Sequence, residues 1–287
     1  MTQVLIQQEK RLLAVVAHPD DETFGMGGTL AFYARNGVQV NLICATRGEV
    51  GEVDEKYKGK FQTIGDLREH ELCCAADALG LQKVYFLGYR DSGMPDSIHN
   101  SHPAALINAD ENEVAEKIAA LIRKLQPQAI ITFDPIGGYM HPDHIAVHRA
   151  TVKAFEIAGN PDYPINASPA FSPKKLYFHI MPKKFFGIMV KLMPLFRIDP
   201  TRFGKNKDID LTAILSRNFP VHARINYRSV AALRDQASAC HASQGGDRRR
   251  GYILNWLMRW ISSTELYMRA IPEKEDAAVE KDLFEGI

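Results

Sequence analysis

The stretch Leu12-Leu13-Ala14-Val15-Val16-Ala17, followed at once by His18-Pro19-Asp20-Asp21-Glu22, decides how the rest of the chain reads. Its apolar residues are continuous rather than alternating, and too few for an ordinary helix. They read as a strand buried on both faces, as in a parallel sheet. Pro19 biases the residue before it away from helix and closes the strand. Working outward, Leu30, Tyr33 and Ala34 recur at helical spacing in a helix over about 28–36, which Gly37 stops. Val38 to Ala45 reads as the next strand, and a polar loop over 46–59 leads to a helix over 66–79 closed by Gly80. A strand over 84–87, an amphipathic helix over 113–125, a strand over 129–133 and a helix over 144–158 follow. This alternation predicts an α/β fold: a Rossmann-like, doubly wound, mostly parallel sheet with right-handed crossovers.

The 287 residues carry 35 Lys and Arg against 34 Asp and Glu, a net charge of +1, and 46% are hydrophobic. A disordered chain would be poorer in apolar residues, and a nucleic-acid module would carry a basic excess, so both classes are set aside. The length suits a single domain, 1–287, with a core over 1–160 and an accessory C-terminal part over 161–287, where Pro161, Pro164, Pro169 and Pro173 mark a change in composition. Cys44, Cys73, Cys74 and Cys240 form no CxxC pair and too sparse a set for a disulfide scaffold, which points to the cytoplasm. Cys73 and Cys74, mid-helix among apolar residues, read as small core residues. The N-terminus lacks the features of a secretory leader. The apolar run 185–196 is interrupted by Gly187, Lys191 and Pro194, falls short of a membrane span, and reads as packing on the core. A second helical part is expected over 228–262, the run DRRRGY (247–252) as a surface turn, and the charged C-terminus as a solvated helix or tail.

In open α/β sheets ligands bind beyond the carboxyl ends of the strands. The first strand delivers His18, Asp20, Asp21 and Glu22 there; the second delivers Arg47, Glu49 and Glu52. The strand over 129–133 delivers Asp134 and the loop Gly137-Gly138-Tyr139-Met140-His141-Pro142-Asp143-His144. The glycines at 25, 27 and 28 do not make a dinucleotide cradle, because they follow the acids instead of the strand, and carboxylates at that turn repel phosphate. The same acids attract a cation. His18, Asp21 and His144 supply the two imidazoles and one carboxylate typical of a catalytic zinc site with a position left for water. Asp20, not needed as a ligand, becomes a base beside that water. No GxSxG nucleophile motif is present.

AHPDDE (17–22), the Gly-Gly-Tyr-x-HPDH segment (137–144) and HASQ (241–244) resemble the LmbE-like, or PIG-L, family of metal-dependent N-acetylglucosaminyl deacetylases. TRGEVGE (46–52), LREHE (67–71) and YRDSGM (89–94) are similar to its mycothiol branch, the GlcNAc-inositol deacetylase and the S-conjugate amidase. The resemblance spans most of the chain and is weakest over about 161–224.

The resemblance implies roles for individual residues. His18, Asp21 and His144 match the metal ligands, Asp20 the general base, and His141 a protonated histidine that stabilises the oxyanion and hands a proton to the leaving amine; Asp143 would tune it. Tyr139 matches a tyrosine that assists at the carbonyl oxygen. Arg68 and Asp91 match groups that grip the sugar, Glu49 is a similar case, and His241 reaches the pocket by analogy. His148, one turn after His144, reads as a neighbour of the site and not a ligand. A cation beside Asp20 is expected to hold its carboxyl low, and Asp143 to favour the charged form of His141. The implied activity is N-deacetylation of a small-molecule N-acetylglucosamine conjugate with Zn2+, for which Fe2+ is an alternative. The competing readings are an amidase for a larger acyl group and an idle metal- or sugar-binding protein. No nucleic-acid partner is implied, and homo-oligomerisation is left open.

Overall fold

The computed structural model describes residues 9–57, 59–165, 168–196, 198–202, 210–246, 263–274 and 278–287. Strands β1 (Arg11–Val16), β2 (Gln39–Thr46), β3 (Lys83–Tyr89), β4 (Ala129–Phe133), β5 (Lys175–Ile180), β6 (Ala223–Asn226) and β7 (Thr264–Ile271) form one sheet in the order β3-β2-β1-β4-β5-β7-β6. The first five run parallel, and β7 and β6 continue the sheet antiparallel. The expected doubly wound core is therefore present. The part beyond residue 160 extends the same sheet with three strands.

Helices α1 (Asp21–Arg35), α2 (Ile64–Leu79), α3 (Glu111–Leu125), the single turn α4 (Gly137–Met140) and α5 (Pro142–Gly159) connect the parallel strands. Further along come α6 (Lys183–Leu192), α7 (Leu211–Ser216) and α8 (Ala231–Cys240). The central strands β1, β2 and β4 are buried along almost their whole length, as their unbroken apolar runs require. α1 begins at Asp21, earlier than its apolar spacing suggests, and carries Gly28 against the Tyr227 ring, where a Cβ would come within 2.2 Å. α2 starts in a capping box, Thr63 with Asp66, and ends at Gly80 in the left-handed region.

Four expectations fail here. Cys73 and Cys74 lie on the exposed side of α2, and Cys74 is bonded to Cys240 at the end of α8, with a Cα–Cα distance of 5.7 Å. Their neighbours on α2 are apolar because the other face of the helix packs on the sheet; i and i+1 positions do not share a face. The apolar segment after β5 does not settle into the main core. Val190 and Met193 join Leu211 and Ile214 in a separate small cluster behind Tyr139, while Ile188, Leu195 and Phe196 are 59%, 76% and 74% exposed. The charged C-terminus is docked, not solvated: Leu283 and Phe284 are buried, and Glu280 binds Lys175, Tyr177 and Arg269. In the second helical part the described chain is helical only to Gln244, through α8 and a 3-10 turn. The run 247–252 and the rest of that expected helix lie outside the described residues. Among the described residues no helix is long and apolar enough to cross a membrane.

Candidate functional site

β1 delivers its residues through a tight corner. Asp20 sits at φ 117°, in the left-handed region that a non-glycine residue enters at a cost of about 1–3 kcal/mol and keeps only where its surroundings fix it. Its N–H donates to Glu22 Oε2 at 2.9 Å, and Arg68 Nη2 donates to its Oδ2 at 3.0 Å. One residue on, Asp21 Oδ2 accepts the His18 backbone N–H at 2.8 Å, which fixes that carboxylate beside the imidazole.

β4 delivers the facing wall. Asp134 Oδ1 accepts the N–H groups of Ile136 and Gly138 at 3.1 and 2.9 Å and folds the chain into α4, which carries Tyr139. His141 caps α5 by accepting the Asp143 N–H on Nδ1 at 3.2 Å. His144, on the first turn of α5, donates from Nδ1 to the Gly137 carbonyl at 3.2 Å. Gly137 has no room for a side chain, since a Cβ there would lie 2.8 Å from that of His144.

These two walls meet. His18 Nδ1 is 3.5 Å from Asp21 Oδ2, His144 Nε2 is 3.2 Å from Asp21 Oδ1, and the two ring nitrogens are 3.3 Å apart. These separations resemble the edges of roughly 3.3–3.6 Å of a tetrahedral centre with ligand bonds of about 2.0–2.2 Å. The two imidazoles face different oxygens of Asp21, so the carboxylate would turn one oxygen, or present both, to a divalent cation. The groups behind them agree. His144 is oriented by a carbonyl, and His18 directs Nε2 away from the centre to Asp143 Oδ2 at 3.0 Å and Asp91 Oδ1 at 3.4 Å, the backing that metal-bound imidazoles require. Two other groupings bring donors within 4.8 Å of one another, His18 with His141 and His144, and His18 with Asp91 and Asp143. The first contains both imidazoles of the set above, with His141 Nε2 turned to the same centre while its Nδ1 is engaged; in the second, His18 Nε2 faces Asp143 and Asp91.

The chain's own charges, apart from those of any cation, act on both proton-transfer candidates. Burial, the largest influence on Asp20, pushes its carboxyl up to about 6 against the opposing pull of Arg68. His141 is driven down to about 2, first by burial and then by the repulsion that His18 and His144 exert when charged, which favours the neutral ring. Asp143 does not offset this because its carboxylate turns to His18 Nε2 and to the Ser92 N–H at 2.9 Å. With Nδ1 accepting the Asp143 N–H, the remaining proton of His141 belongs on Nε2. Asp21 behaves oppositely to Asp20: burial raises it, but His144 and His18 outweigh burial and hold it well below the usual carboxylate range. Burial raises the Tyr139 hydroxyl far above its ordinary value, leaving it a proton donor.

A cavity of about 430 Å³ opens on this centre, lined by His18, Asp20, Arg68, Asp91, Tyr139 and His141. Its outer wall comes from Met94 and Gln244, the last residues of two of the matched motifs, and from Asp96 and Ser97, which sequence patterning did not single out. A wider hollow near Gly59–Gln62 holds none of the chemistry. Arg68, almost fully buried, also binds the carbonyls of Pro19 and Gly48, so it grips the base as well as facing the cavity. Glu49 accepts the Asp91 N–H at 3.0 Å and shapes the loop from behind. His241 does not line the cavity; it is fully buried and pairs with Glu22 Oε1 at 2.7 Å. His148 donates to or accepts from the Phe133 carbonyl at 2.9 Å, a contact that must be a donation because a carbonyl only accepts.

With this geometry, comparison with known proteins is informative. Residues 13–155 match the family PIG-L, GlcNAc-PI de-N-acetylase. Over 292 aligned residues the chain is 34% identical to the 1D-myo-inositol 2-acetamido-2-deoxy-alpha-D-glucopyranoside deacetylase of Streptomyces scabiei, covering 96% of this chain and 90% of that one. The chain belongs to the PIG-L family. Among solved structures, N,N'-diacetylchitobiose deacetylase from Pyrococcus horikoshii is similar with a TM-score of 0.61 at 22% identity, over 91% of this chain and 84% of that one. GalB, a 4-carboxy-2-hydroxymuconate hydratase from Pseudomonas putida, is similar with a TM-score of 0.59 at 19% identity, over 94% and 100%. Both likenesses establish the PIG-L fold alone, and the pair shows that this fold serves more than one reaction. The chemistry of this member must be argued from its site.

Proposed function

We propose that the chain is a metal-dependent amide hydrolase that removes the N-acetyl group from an N-acetylglucosamine conjugate. The observation that carries this reading is Asp20: a carboxylate with no place in the three-donor set, beside that set and open to the same cavity. When bound by His18, Asp21 and His144, a divalent cation supplies Lewis acidity that makes water acidic and polarises the amide carbonyl. Zinc suits these donors, and ferrous iron satisfies the same set.

Each remaining part is supplied by the chain. Asp20, held by Arg68 and by Glu22, takes the proton of the attacking water. His141, neutral and carrying its proton on Nε2, donates a hydrogen bond to the oxyanion, and Tyr139 donates beside it. The amine leaving group receives its proton from Asp20, which returns what it took from the water. Of the two parts expected of His141, this reading keeps the oxyanion contact and gives the proton transfer to Asp20. His141→Gln, which keeps an N–H donor, should then retain at least about tenfold more kcat than His141→Ala. Equal losses in both would restore His141 as the proton donor.

The cavity wall supports a neutral, polyhydroxylated aglycone. Asp91 and Asp96 face it, and its cation Arg68 is already committed to Asp20. An uncharged cyclitol offers hydroxyls to those carboxylates, whereas a phosphate would be repelled. This favours a glucosaminyl-inositol substrate of the kind named for the Streptomyces relative. We place the enzyme in the cytoplasm, where the Cys74–Cys240 pair would stand as a dithiol. Alkylation of acid-quenched protein should then label all 4 cysteines; two protected thiols would contradict that placement.

A further inference from the structure

Glu22 and His241 are both fully buried, lie 219 residues apart, and are joined by a 2.7 Å contact from Nε2 to Oε1. Neither touches the cavity. A buried ion pair often adds no more stability than apolar packing would, so its geometry is the thing to explain. Thr23 Oγ1 donates to the same Oε1 at 2.5 Å. Those two contacts set the plane of the carboxylate, and its other oxygen, Oε2, then meets the N–H of Asp20 at 2.9 Å.

The Asp20 backbone stands at φ 117°, which an L residue leaves unless it is held. The far end of the chain of contacts is itself anchored. The turn Ala242–Gln244 is fixed to α2 by Glu71, which accepts the Ser243 N–H at 2.8 Å and its Oγ at 2.7 Å. The Phe24 ring packs 5.8 Å from the imidazole. A change of backbone torsion at Asp20 would turn its carboxylate from the place it holds beside His18 and Asp21.

We propose that Glu22 and His241 are a positioning pair that holds the backbone of Asp20 in its left-handed conformation and so aims the base. This rests on the reading of Asp20 as the base. It separates His241 from the substrate, although the sequence pattern places it in the pocket.

The test uses the full-length, metal-loaded protein with Glu22→Met, which keeps the volume and removes the acceptor, and His241→Asn, each checked for cooperative melting and for metal content. Glu22→Met should lose kcat on the order of 10²-fold, as expected for a base displaced by about 1 Å. KM should stay within about twofold, and metal stoichiometry should match wild type because the His18 N–H holds the Asp21 carboxylate separately. In an Asp20→Asn background the same substitution should cost nothing further, because the group it acts through is already disabled. Unchanged kcat in folded Glu22→Met, or losses that multiply with Asp20→Asn, would overturn the pairing. If the wild type releases no acetate from any N-acetylglucosaminyl conjugate, the functional reading fails separately. Crystal structures then decide the pairing on their own: Asp20 leaving positive φ in Glu22→Met supports it, and Asp20 unmoved refutes it. Should Glu22→Met not fold, His241→Asn carries the same two readouts.

Discussion

Replacing Asp143 by Asn separates two roles that its position permits. The carboxylate is fully buried; Oδ2 accepts from His18 Nε2 at 3.0 Å and from the Ser92 N–H at 2.9 Å, and Oδ1 has no partner. An amide oxygen in place of Oδ2 keeps both contacts, and the NH2 occupies the position of an atom that is already unpartnered. The variant should therefore fold. What is lost is the negative charge behind His18, and with it part of the basicity of Nδ1. Removing such backing typically weakens metal binding by about 10- to 100-fold, or roughly 1.4–2.7 kcal/mol. Asp91 Oδ1 remains 3.4 Å from the same nitrogen, which places the expected loss near tenfold. A competition titration of zinc against a chromophoric chelator at pH 7 reads this directly. Wild-type affinity, with a displaced basic limb in the pH profile of kcat, would mean that Asp143 acts on His141 instead.

Two stability experiments test the frame around the site. Arg123 is buried and donates to the carbonyls of Ile157, Ala158, Asn160, Tyr163 and Ser168, tying the end of α5 to the loop that follows. Arg123→Met should cost at least about 3 kcal/mol and lower Tm by roughly 5 °C in calorimetry, and an unchanged Tm would refute the clamp. His179 on β5 is pushed by burial down to about 4, so the fold keeps it neutral. A lowered histidine contributes stability that is complete above the unfolded value near 6.5 and is lost as pH falls towards 4. His179→Gln should flatten the dependence of Tm on pH in that window; an identical slope would refute the assignment.

The parts of this fold that were legible in the sequence are those decided by local pattern. β1, β2 and β4 announce themselves because strands buried on both faces must be apolar throughout. The start of α1 is obscured by Gly25, Gly27 and Gly28, and Gly28 is required by Tyr227 from 199 positions further along, a reason no local window contains. β7 pairs antiparallel between β5 and β6, so its place depends on partners distant in sequence. The site divides the same way. The donors His18, Asp21 and His144 could be picked out because strand ends of one sheet converge. The neutral state of His141 could not, because it is set first by burial and then by His18 from across the fold. Asp143 stands two residues from His141, yet helix geometry sends its carboxylate to His18. The Cys74–Cys240 bond joins helices separated by 166 residues, for which cysteine spacing carries no signal.

The most direct test of the central claim is acetate release from N-acetylglucosaminyl-inositol by three preparations: chelator-stripped wild type, the same protein after one equivalent of zinc or ferrous iron, and reloaded Asp20→Asn. The account predicts no turnover when stripped and turnover restored on loading, with one free amine formed per acetate. Reloaded Asp20→Asn should bind metal fully and lose at least about 10²-fold in kcat. Equal rates with and without metal, or a fully active Asp20→Asn, would contradict it.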